Sequence, residues 1–334
     1  MEYVAIGDSG LRASRVGLGT WSIGGWMWGG TEEKEAIATI HAALDLGINL
    51  LDTAAVYGFG NSEEIVGRAL LRGRRGNAIV ATKVTLDWTD DGKVFRNGTK
   101  ARIQKEVEDS LRRLQTDVID IYQVHWPDPL TPIEETAEAM QALLHAGKIR
   151  AIGVSNYNVE QMARFAAVAP LHTIQPPYNL FERGAERDVL PYGAEHSVVG
   201  LTYGALCRGL LSGRMSHERA FTGDDLRLND PKFQEPRLSQ YLEAVTRLDT
   251  LARERFGKRV LDLAVRWLLE KPGVGVALWG ARKPSQLEDV PGTMGWSLDP
   301  ATLTEIERIV DECVTDPVGP EFMAPPSRSA RRNA

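Results

Sequence analysis

Four residues, Asp52, Tyr57, Lys83 and His125, have side chains that could together polarise and protonate a carbonyl group. A tyrosine donates a proton near neutral pH only if the phenolate is stabilised, because its reference pKa is about 10. A lysine ammonium beside Tyr57 would stabilise it, and Asp52 would keep Lys83 charged and oriented through a charge-assisted hydrogen bond. His125 could donate a hydrogen bond to the substrate oxygen. A hydride or another nucleophile must then reach the carbonyl carbon.

Three of these residues close short apolar runs that predict buried strands, at residues 48–52, 78–83 and 119–125. A helical segment separates each run from the next, so the strands are expected to be parallel, with their carboxyl ends at one face. Active sites of parallel barrels lie at that face. Taken singly, each residue also has a structural explanation, such as a helix cap, a packed ring or a solvated charge.

The same alternation of strand and helix continues from about residue 16 to residue 292. It predicts eight strands, at residues 16–21, 48–52, 78–83, 119–125, 151–155, 173–176, 198–203 and 274–279. Eight units favour an α/β fold of the (β/α)8 TIM-barrel class over a doubly wound sheet. The competing Rossmann reading lacks its fingerprint, because Gly17-Leu18-Gly19-Thr20 does not complete G-x-G-x-x-G.

The chain is interpreted as one domain, residues 1–334, with a C-terminal helix at 299–314 and a tail at 315–334. A polar loop at residues 212–238 follows the seventh strand and is long enough to be a lid. The proline-stiffened stretch 316–326 is expected to pack near a barrel end, whereas the last few residues are expected to be disordered. Whether the loop or the tail closes over the site stays open.

Composition excludes several other functions. The net charge of -6 gives no reason to expect nucleic acid or an anionic membrane as partner. Two cysteines, without a CxxC pair or a His/Cys cluster, predict neither a disulfide framework nor a metal site. No export signal or bilayer-length apolar run is present, so a cytoplasmic enzyme is expected.

Several segments in order along the chain closely resemble the aldo-keto reductase superfamily. They are Gly19-Thr20-Trp21, Asp52-Thr53-Ala54 with Tyr57-Gly58, Ser62-Glu63, Ala81-Thr82-Lys83, His125-Trp126-Pro127-Asp128 and Gly153-Val154-Ser155-Asn156. The resemblance implies a (β/α)8 barrel, bound NADPH rather than a metal, and reversible reduction of aldehydes or ketones. It also implies that Tyr57 is the general acid, that Lys83 and Asp52 tune it, and that His125 orients the carbonyl.

The resemblance further implies a cofactor site. Ser155, Asn156 and Gln175 would bind the nicotinamide carboxamide, and Tyr203 would stack on its ring. The complete set is Gly19, Thr20, Trp21, Ser155, Asn156, Gln175, Tyr203, Gly204, Ala205, Leu206, Arg208, Gly209, Arg214, Gly280, Ala281, Arg282, Lys283, Gln286 and Asp289. Within it, Arg208 and Arg214 flank glycines of a loop expected over the pyrophosphate. Arg282 and Lys283, beside an expected helix start at Pro284, favour NADPH over NADH.

Aromatic residues in predicted loops are the candidates for the substrate pocket, which are Trp21, Trp28, Phe59, Trp88 and Trp126. The segment 279–284 and the tail resemble a bacterial subgroup with NADP-dependent glycerol dehydrogenases and glyceraldehyde reductases. This resemblance favours small hydroxyaldehydes and polyols as substrates. One departure is Tyr203-Gly204-Ala205, where many relatives have Tyr-Ser-Pro.

Two other functions remain open. A lysine at a barrel strand end can form an imine when its pKa is depressed, as in a Schiff-base aldolase, although Asp52 should raise the pKa of Lys83. The barrel could also bind NADPH as a regulatory or structural subunit with negligible turnover. A monomer or weak oligomer is expected.

Overall fold

The computed structural model describes residues 1–328, and the disorder expected at the very end of the tail concerns residues outside that range. These residues form twelve strands. In chain order the strands are β1 (Tyr3–Ala5), β2 (Arg12–Ser14), β3 (Val16–Gly19), β4 (Leu50–Asp52), β5 (Ile79–Val84), β6 (Leu86–Trp88), β7 (Val94–Arg96), β8 (Ile119–Val124), β9 (Ile149–Ser155), β10 (Thr173–Gln175), β11 (Val199–Thr202) and β12 (Val274–Gly280).

The α-helices in the described part of the chain are α1 (Trp21–Gly24), α2 (Glu33–Asp45), α3 (Asn61–Ala69), α4 (Lys100–Leu114), α5 (Ile133–His145), α6 (Val159–Ala166), α7 (Val189–Glu195), α8 (Arg237–Phe256), α9 (Val260–Leu269) and α10 (Pro300–Cys313). Local chemistry defines several of their starts. Thr99 accepts from the Arg102 N–H at the start of α4, and Asn158 with Gln161 forms a capping box on α6.

Eight of the strands close into one parallel barrel, in the order β10-β11-β12-β3-β4-β5-β8-β9. Their register aligns Gly19 with Asp52 and Asp52 with Ala81, so the ends of neighbouring strands lie side by side. All eight predicted strands occur in this barrel, which confirms the (β/α)8 fold. The two antiparallel hairpins, β1-β2 and β6-β7, were not predicted.

The apolar core has two layers. A small inner cluster fills the barrel and includes Leu50, Ile121 and Leu201, with Ile6 from the loop of the β1-β2 hairpin packed against them. The larger outer cluster lies between strands and helices, where α9 is buried along its whole length. This arrangement leaves the carboxyl ends of the strands as the end of the barrel that carries polar side chains.

The segment after the last barrel strand differs from the sequence prediction. Pro284–Gln286 forms a three-residue 3-10 helix, followed by another at Val290–Thr293, instead of a full α-helix. The prolines at Pro284 and Pro291 stand at the starts of these turns, where their missing N–H groups cost no intrahelical bond. No dipole of a long helix is therefore available here.

The loop 212–238 and the tail both lie at the carboxyl end of the barrel. The loop contains 3-10 helices at Leu226–Leu228 and Pro231–Phe233, and the tail contains one at Glu321–Met323. The backbone N–H of Arg96 donates to the Pro326 carbonyl at 3.0 Å, which joins the tail to β7. Within residues 1–328, no helix is long and apolar enough to cross a membrane.

Candidate active site

The ammonium of Lys83 lies at the centre of the candidate active site. Its Nζ donates to Asp52 Oδ2 at 2.7 Å, to the Thr53 carbonyl at 3.0 Å and to the Tyr57 hydroxyl at 3.3 Å. Three acceptors match the three donors of a lysine ammonium. The ends of β4 and β5 therefore bring Asp52, Lys83 and Tyr57 together.

The other oxygen of Asp52 accepts hydrogen bonds from two buried amides. Gln175 Nε2 lies 2.8 Å from Oδ1, and Gln123 Nε2 lies 3.4 Å from it. Gln175 ends β10, on the opposite side of the barrel from β4, and Gln123 lies near the end of β8, two strands from β4. They hold the carboxylate in the orientation that presents its second oxygen to Lys83.

His125 follows β8 and lies beside Tyr57. Their ring centroids are 5.8 Å apart with an interplanar angle of 81°. The ring of Trp21 also stacks on Tyr57, with a centroid distance of 5.9 Å and an interplanar angle of 19°. Packing against two aromatic rings thus fixes the phenol ring. The structure brings all four predicted catalytic residues into one group.

Burial controls the protonation of this group. Burial and the charge of Asp52 raise the pKa of Tyr57 well above 10.0, so its hydroxyl carries a proton at neutral pH. Burial and the charge of Lys83 lower the pKa of His125 well below 6.5, so its imidazole is neutral. At neutral pH Tyr57 therefore keeps its proton, and its raised pKa runs against the expectation that Lys83 stabilises the phenolate. Neutral His125 can donate an N–H hydrogen bond without carrying charge.

Asp52 raises the pKa of Lys83 as expected, but the net pKa of Lys83 is below its ordinary value. Burial lowers the pKa of Lys83, and the attraction of Asp52 offsets only part of that effect. The side chain is 1% exposed, so loss of hydration outweighs one close carboxylate. The ammonium is thus held by hydrogen bonds at a position that disfavours its charge.

The backbone around Gly24 packs directly against the backbone of Tyr57 and Gly58. A Cβ on Gly24 would lie 2.8 Å from the carbonyl carbon of Tyr57, and one on Gly58 would lie 2.1 Å from the Gly24 oxygen. Gly58 also has a φ of +62°, which side chains rarely adopt. Only glycine fits at both positions, because two backbone segments touch there.

Two cavities adjoin at Tyr57. The larger, of about 480 Å³, has Gly19, Tyr203, Gly204 and Arg282 among its lining residues. The second, of about 390 Å³, is lined by His125, Trp126 and tail residues, among others. Trp21, Tyr57, Tyr203 and Met323 line both, so a reaction at Tyr57 can draw one reactant from each cavity.

Most residues predicted to bind the cofactor line the larger cavity. They are Gly19, Trp21, Tyr203, Gly204, Ala205, Leu206, Arg208, Gly209, Arg214, Gly280, Ala281, Arg282, Gln286 and Asp289. Ser155, Asn156 and Gln175 line the second cavity, at the boundary marked by Tyr203, whose hydroxyl donates to Asn156 Oδ1 at 3.0 Å. Thr20 and Lys283 line neither. Thr20 is fully buried, with its hydroxyl on the Asp52 carbonyl at 3.0 Å.

The charge of the larger cavity fits a polyanionic dinucleotide. Besides Arg208, four arginines line it: Arg214, Arg219, Arg227 and Arg282. Arg219 and Arg227 come from the loop 212–238, and the sequence interpretation missed both. Positive φ values at Gly204 and Gly209 are compatible with backbone passing close to a ligand.

Arg208 does not match its expected role in binding phosphate. Its guanidinium forms buried ion pairs with Glu182 and Asp230, and the residue is only 8% exposed. A cation already neutralised by two carboxylates has little charge to offer a pyrophosphate. Arg208 therefore contacts the cavity as part of its wall.

The residues expected to bind a 2′-phosphate also make contacts that the sequence did not predict. Arg282 donates to the carbonyls of Trp28 and Gly30, and its backbone N–H donates to Gln286 Oε1 at 2.7 Å. Lys283 lies 3.6 Å from Glu35 at the surface. Two cations remain near this end of the cavity, but the helix expected to assist them is a short 3-10 turn.

The second cavity is largely apolar, and its walls differ from the predicted set. Trp126 lines it as expected, whereas Trp28 lines the larger cavity and packs edge-on against Trp21 at 5.6 Å. Phe59 and Trp88 line neither cavity. The ring centroid of Phe59 lies 5.1 Å from that of Trp26, which lines the second cavity, and 5.8 Å from that of Trp88.

The sequence interpretation missed most of the apolar wall. The additional residues are Trp26, Met27, Val56, Leu86, Val94, Leu226, Phe322, Met323, Pro325 and Pro326, with Asn229 as a polar member. They come from the loops after β3 and β4, the β6-β7 hairpin, the loop 212–238 and the tail. Both the loop and the tail therefore border the site, although composition alone did not show which residues face it.

Comparisons with known proteins agree with this geometry. Residues 15–311 match the Aldo/keto reductase family. The chain is 61% identical to the aldo-keto reductase YhdN of Bacillus subtilis (strain 168), over 98% of this chain and 99% of the relative. It is 33% identical to an NADH-specific methylglyoxal reductase of Escherichia coli (strain K12), over 93% of this chain and 99% of the relative.

Solved structures show the same relationship. A glycerol dehydrogenase from Gluconobacter oxydans has a TM-score of 0.88 and 54% identity, covering 96% of this chain and 99% of that chain. An aldo/keto reductase from Klebsiella pneumoniae in complex with NADP and acetate has a TM-score of 0.71 and 29% identity, covering 93% and 96%.

Proposed function

We propose that this chain, which belongs to the aldo/keto reductase family of oxidoreductases, transfers a hydride between NADPH and the carbonyl of small aldehydes or ketones. The reverse reaction would oxidise an alcohol or polyol. The hydrogen-bonded group of Tyr57, Lys83 and Asp52 at the boundary of two cavities carries the proposal. A single-substrate hydrolase or lyase would not need the second cavity.

The proposed roles follow from the protonation states. When bound, the dihydronicotinamide supplies the hydride for the carbonyl carbon. Tyr57 gives its hydroxyl proton to the carbonyl oxygen, and the Lys83 ammonium at 3.3 Å stabilises the phenolate that remains. Neutral His125 donates an N–H to the same oxygen and fixes which face of the carbonyl is presented.

The cofactor would lie in the larger cavity with its phosphates near Arg214, Arg219 and Arg227. We propose that Arg282 and Lys283 favour NADPH by attracting its 2′-phosphate, because both side chains are cations in the segment that directly follows β12. The Klebsiella neighbour holds NADP, whereas the Escherichia relative is named as NADH-specific. Within this fold, the preference for NADPH or NADH therefore depends on the residues around the cofactor.

For substrate we propose small hydroxyaldehydes such as glyceraldehyde, with glycerol as a candidate for the reverse reaction. The glycerol dehydrogenase neighbour at 54% identity supports this assignment. Asn229 is a polar side chain on the wall that could bind a substrate hydroxyl.

The test is to mix the protein with NADPH and DL-glyceraldehyde and to follow loss of absorbance of the reduced cofactor, repeating the assay with NADH. Rapid loss with NADPH supports the proposal. Comparable rates with both cofactors would contradict the preference assigned to Arg282 and Lys283. Binding of NADPH without turnover of any carbonyl would favour the regulatory barrel.

The hydrogen bonds of Lys83, and not its pKa, argue against the alternative of a Schiff-base aldolase. All three donors of Lys83 are directed at protein acceptors, and Lys83 lines neither cavity, whereas Tyr57 lines both. An imine requires an accessible, uncharged amine. Borohydride reduction in the presence of a carbonyl should therefore leave Lys83 unmodified, as read by peptide mass spectrometry.

A further inference from the structure

Four charged side chains form a closed cluster beside the two cavities: Glu182, Arg208, Asp230 and Lys232, here called the charge junction. Arg208 pairs with Glu182 and Asp230, and Lys232 Nζ lies 2.9 Å from Glu182 and 3.8 Å from Asp230. Their exposures are 4%, 8%, 0% and 0% in that order along the chain. Two cations and two anions thus neutralise one another away from water.

The junction joins segments that are far apart in sequence. Glu182 follows β10, Arg208 follows β11, and Asp230 and Lys232 belong to the loop 212–238. Lys232 Nζ also donates to the carbonyl of Gly319 in the tail at 3.0 Å. The Arg208 guanidinium lies 5.6 Å from the ring centroid of Phe322. Both cations of the junction therefore contact the tail directly.

Partner charges dominate inside the junction. Burial alone would raise the pKa of Glu182, but Arg208 and Lys232 lower it below its ordinary value. The backbone N–H of Lys232 also donates to Asp230 Oδ1 at 3.0 Å. A buried cluster with this many matched partners tolerates few other arrangements, because any displacement leaves a charge unpaired.

The tail residues next to these contacts form part of the substrate cavity. Phe322 and Met323 line it, three and four residues after the Gly319 carbonyl that Lys232 holds. On the other side, Arg208 lines the cofactor cavity. The junction is thus the place where the tail wall is attached to the loop that borders the cofactor.

We propose that Lys232 and Arg208 are positioning residues, which act through the charge junction to hold residues 316–326 against the substrate cavity and so set the affinity for carbonyl compounds that reach this wall. The effect on substrate affinity rests on the proposed reductase function. The effect on the tail itself does not.

The experiment compares Lys232→Met, which removes the charge and the hydrogen bond to Gly319, with the double variant Lys232→Met/Glu182→Gln. The double variant restores neutrality without restoring the bond to Gly319, so it separates loss of the tail contact from an unpaired buried charge. Arg266→Met is the matched control, because this buried arginine pairs with Glu2 and Glu270, away from the tail.

Two readouts are taken: KM and kcat for 4-nitrobenzaldehyde and for DL-glyceraldehyde, and hydrogen–deuterium exchange of residues 316–326. Both Lys232 variants should raise KM for the bulky aldehyde about tenfold. The glyceraldehyde constants should stay within about twofold, because a triose need not reach the tail wall. Exchange of the tail should accelerate at least about tenfold, and Arg266→Met should change neither the KM ratio nor the tail.

Unchanged exchange in the double variant would overturn the proposal, as would a KM rise equal for both aldehydes. If the unmodified protein reduces no carbonyl compound, the proposed function fails, and the exchange experiment still decides whether the junction holds the tail.

Discussion

The charge junction and the catalytic group are both buried clusters of ionisable side chains at the same end of the barrel, yet burial has opposite outcomes in them. In the junction, partner charges outweigh burial, so the pKa of Glu182 falls and that of Arg208 rises. In the catalytic group burial outweighs the attraction of Asp52 at Lys83, and at Tyr57 and His125 the neighbouring charge acts in the same direction as burial. The pKa of Lys83 falls, that of Tyr57 rises and that of His125 falls, each shift disfavouring the charged form.

The difference follows from the number of partners. Arg208 and Lys232 each pair with both Glu182 and Asp230, whereas Lys83 forms an ion pair with Asp52 and feels Glu63 more weakly. At neutral pH the catalytic group keeps Tyr57 and His125 uncharged, so both can donate hydrogen bonds. A site that only fixes loops needs charges that never change.

The largest expected effect tests the catalytic side of this comparison. Tyr57→Phe removes the transferable proton while keeping the ring packed against Trp21 and His125, so kcat should fall about 10³-fold or more. Binding of NADPH, read by fluorescence of the reduced cofactor, should be retained. Tyr192→Phe is the control, since that ring stacks on His196 away from the cavities. Unchanged turnover in Tyr57→Phe would contradict the assigned role.

A smaller effect is expected from Asp52→Asn, which keeps the shape of the side chain but removes the carboxylate that is hydrogen-bonded to Lys83. The pKa of Lys83, already lowered by burial, should fall further, because the attraction that offsets burial is lost. We expect kcat to decrease about 10²-fold and its alkaline limb to move to lower pH. A pH profile from 6 to 10 measures this, and a limb that moves upward or not at all would contradict the role of the pair.

The sequence predicted much of the catalytic group and little of the junction, for a physical reason. Asp52, Lys83 and His125 each close a predicted strand, so the barrel alone brings them together. Arg208 and Lys232 lie in loops whose paths depend on tertiary contacts, and Arg208 was expected over the pyrophosphate because its segment resembles the family's loop there. Phe59 and Trp88 were placed in the pocket because nothing local shows which way a loop aromatic points.

Stability should also depend on pH through His125. Its folded pKa lies well below the ordinary 6.5, so the unfolded chain binds more protons between those values. The free energy of unfolding should thus fall as pH drops below about 6.5, by up to about 1.4 kcal/mol per pH unit. Urea denaturation from pH 5 to 7 measures it. His125→Gln should flatten the slope, and parallel curves for both proteins would refute the assignment.

The smallest expected effect on catalysis belongs to the junction. Asp230→Asn leaves one cation less well matched and should lower the thermal midpoint, because a buried charge loses a partner. Both limbs of the kcat profile for glyceraldehyde should stay within about 0.3 pH units, since no group of the junction exchanges protons with substrate. A larger shift of either limb would show that the charge junction and the catalytic group interact electrostatically.

The contact between Gly24 and Gly58 beneath Tyr57 also determines where the enzyme can change. Neither position has space for even a methyl group, so substitutions there should abolish the site, whichever substrate is used. The tail wall at Phe322 and Met323 touches the cavity from outside the barrel and bears no part of the proton-transfer group. Substitutions that change the substrate range, in a laboratory library or in natural evolution, should therefore occur in the tail. Gly24 and Gly58 should stay glycine in all of them.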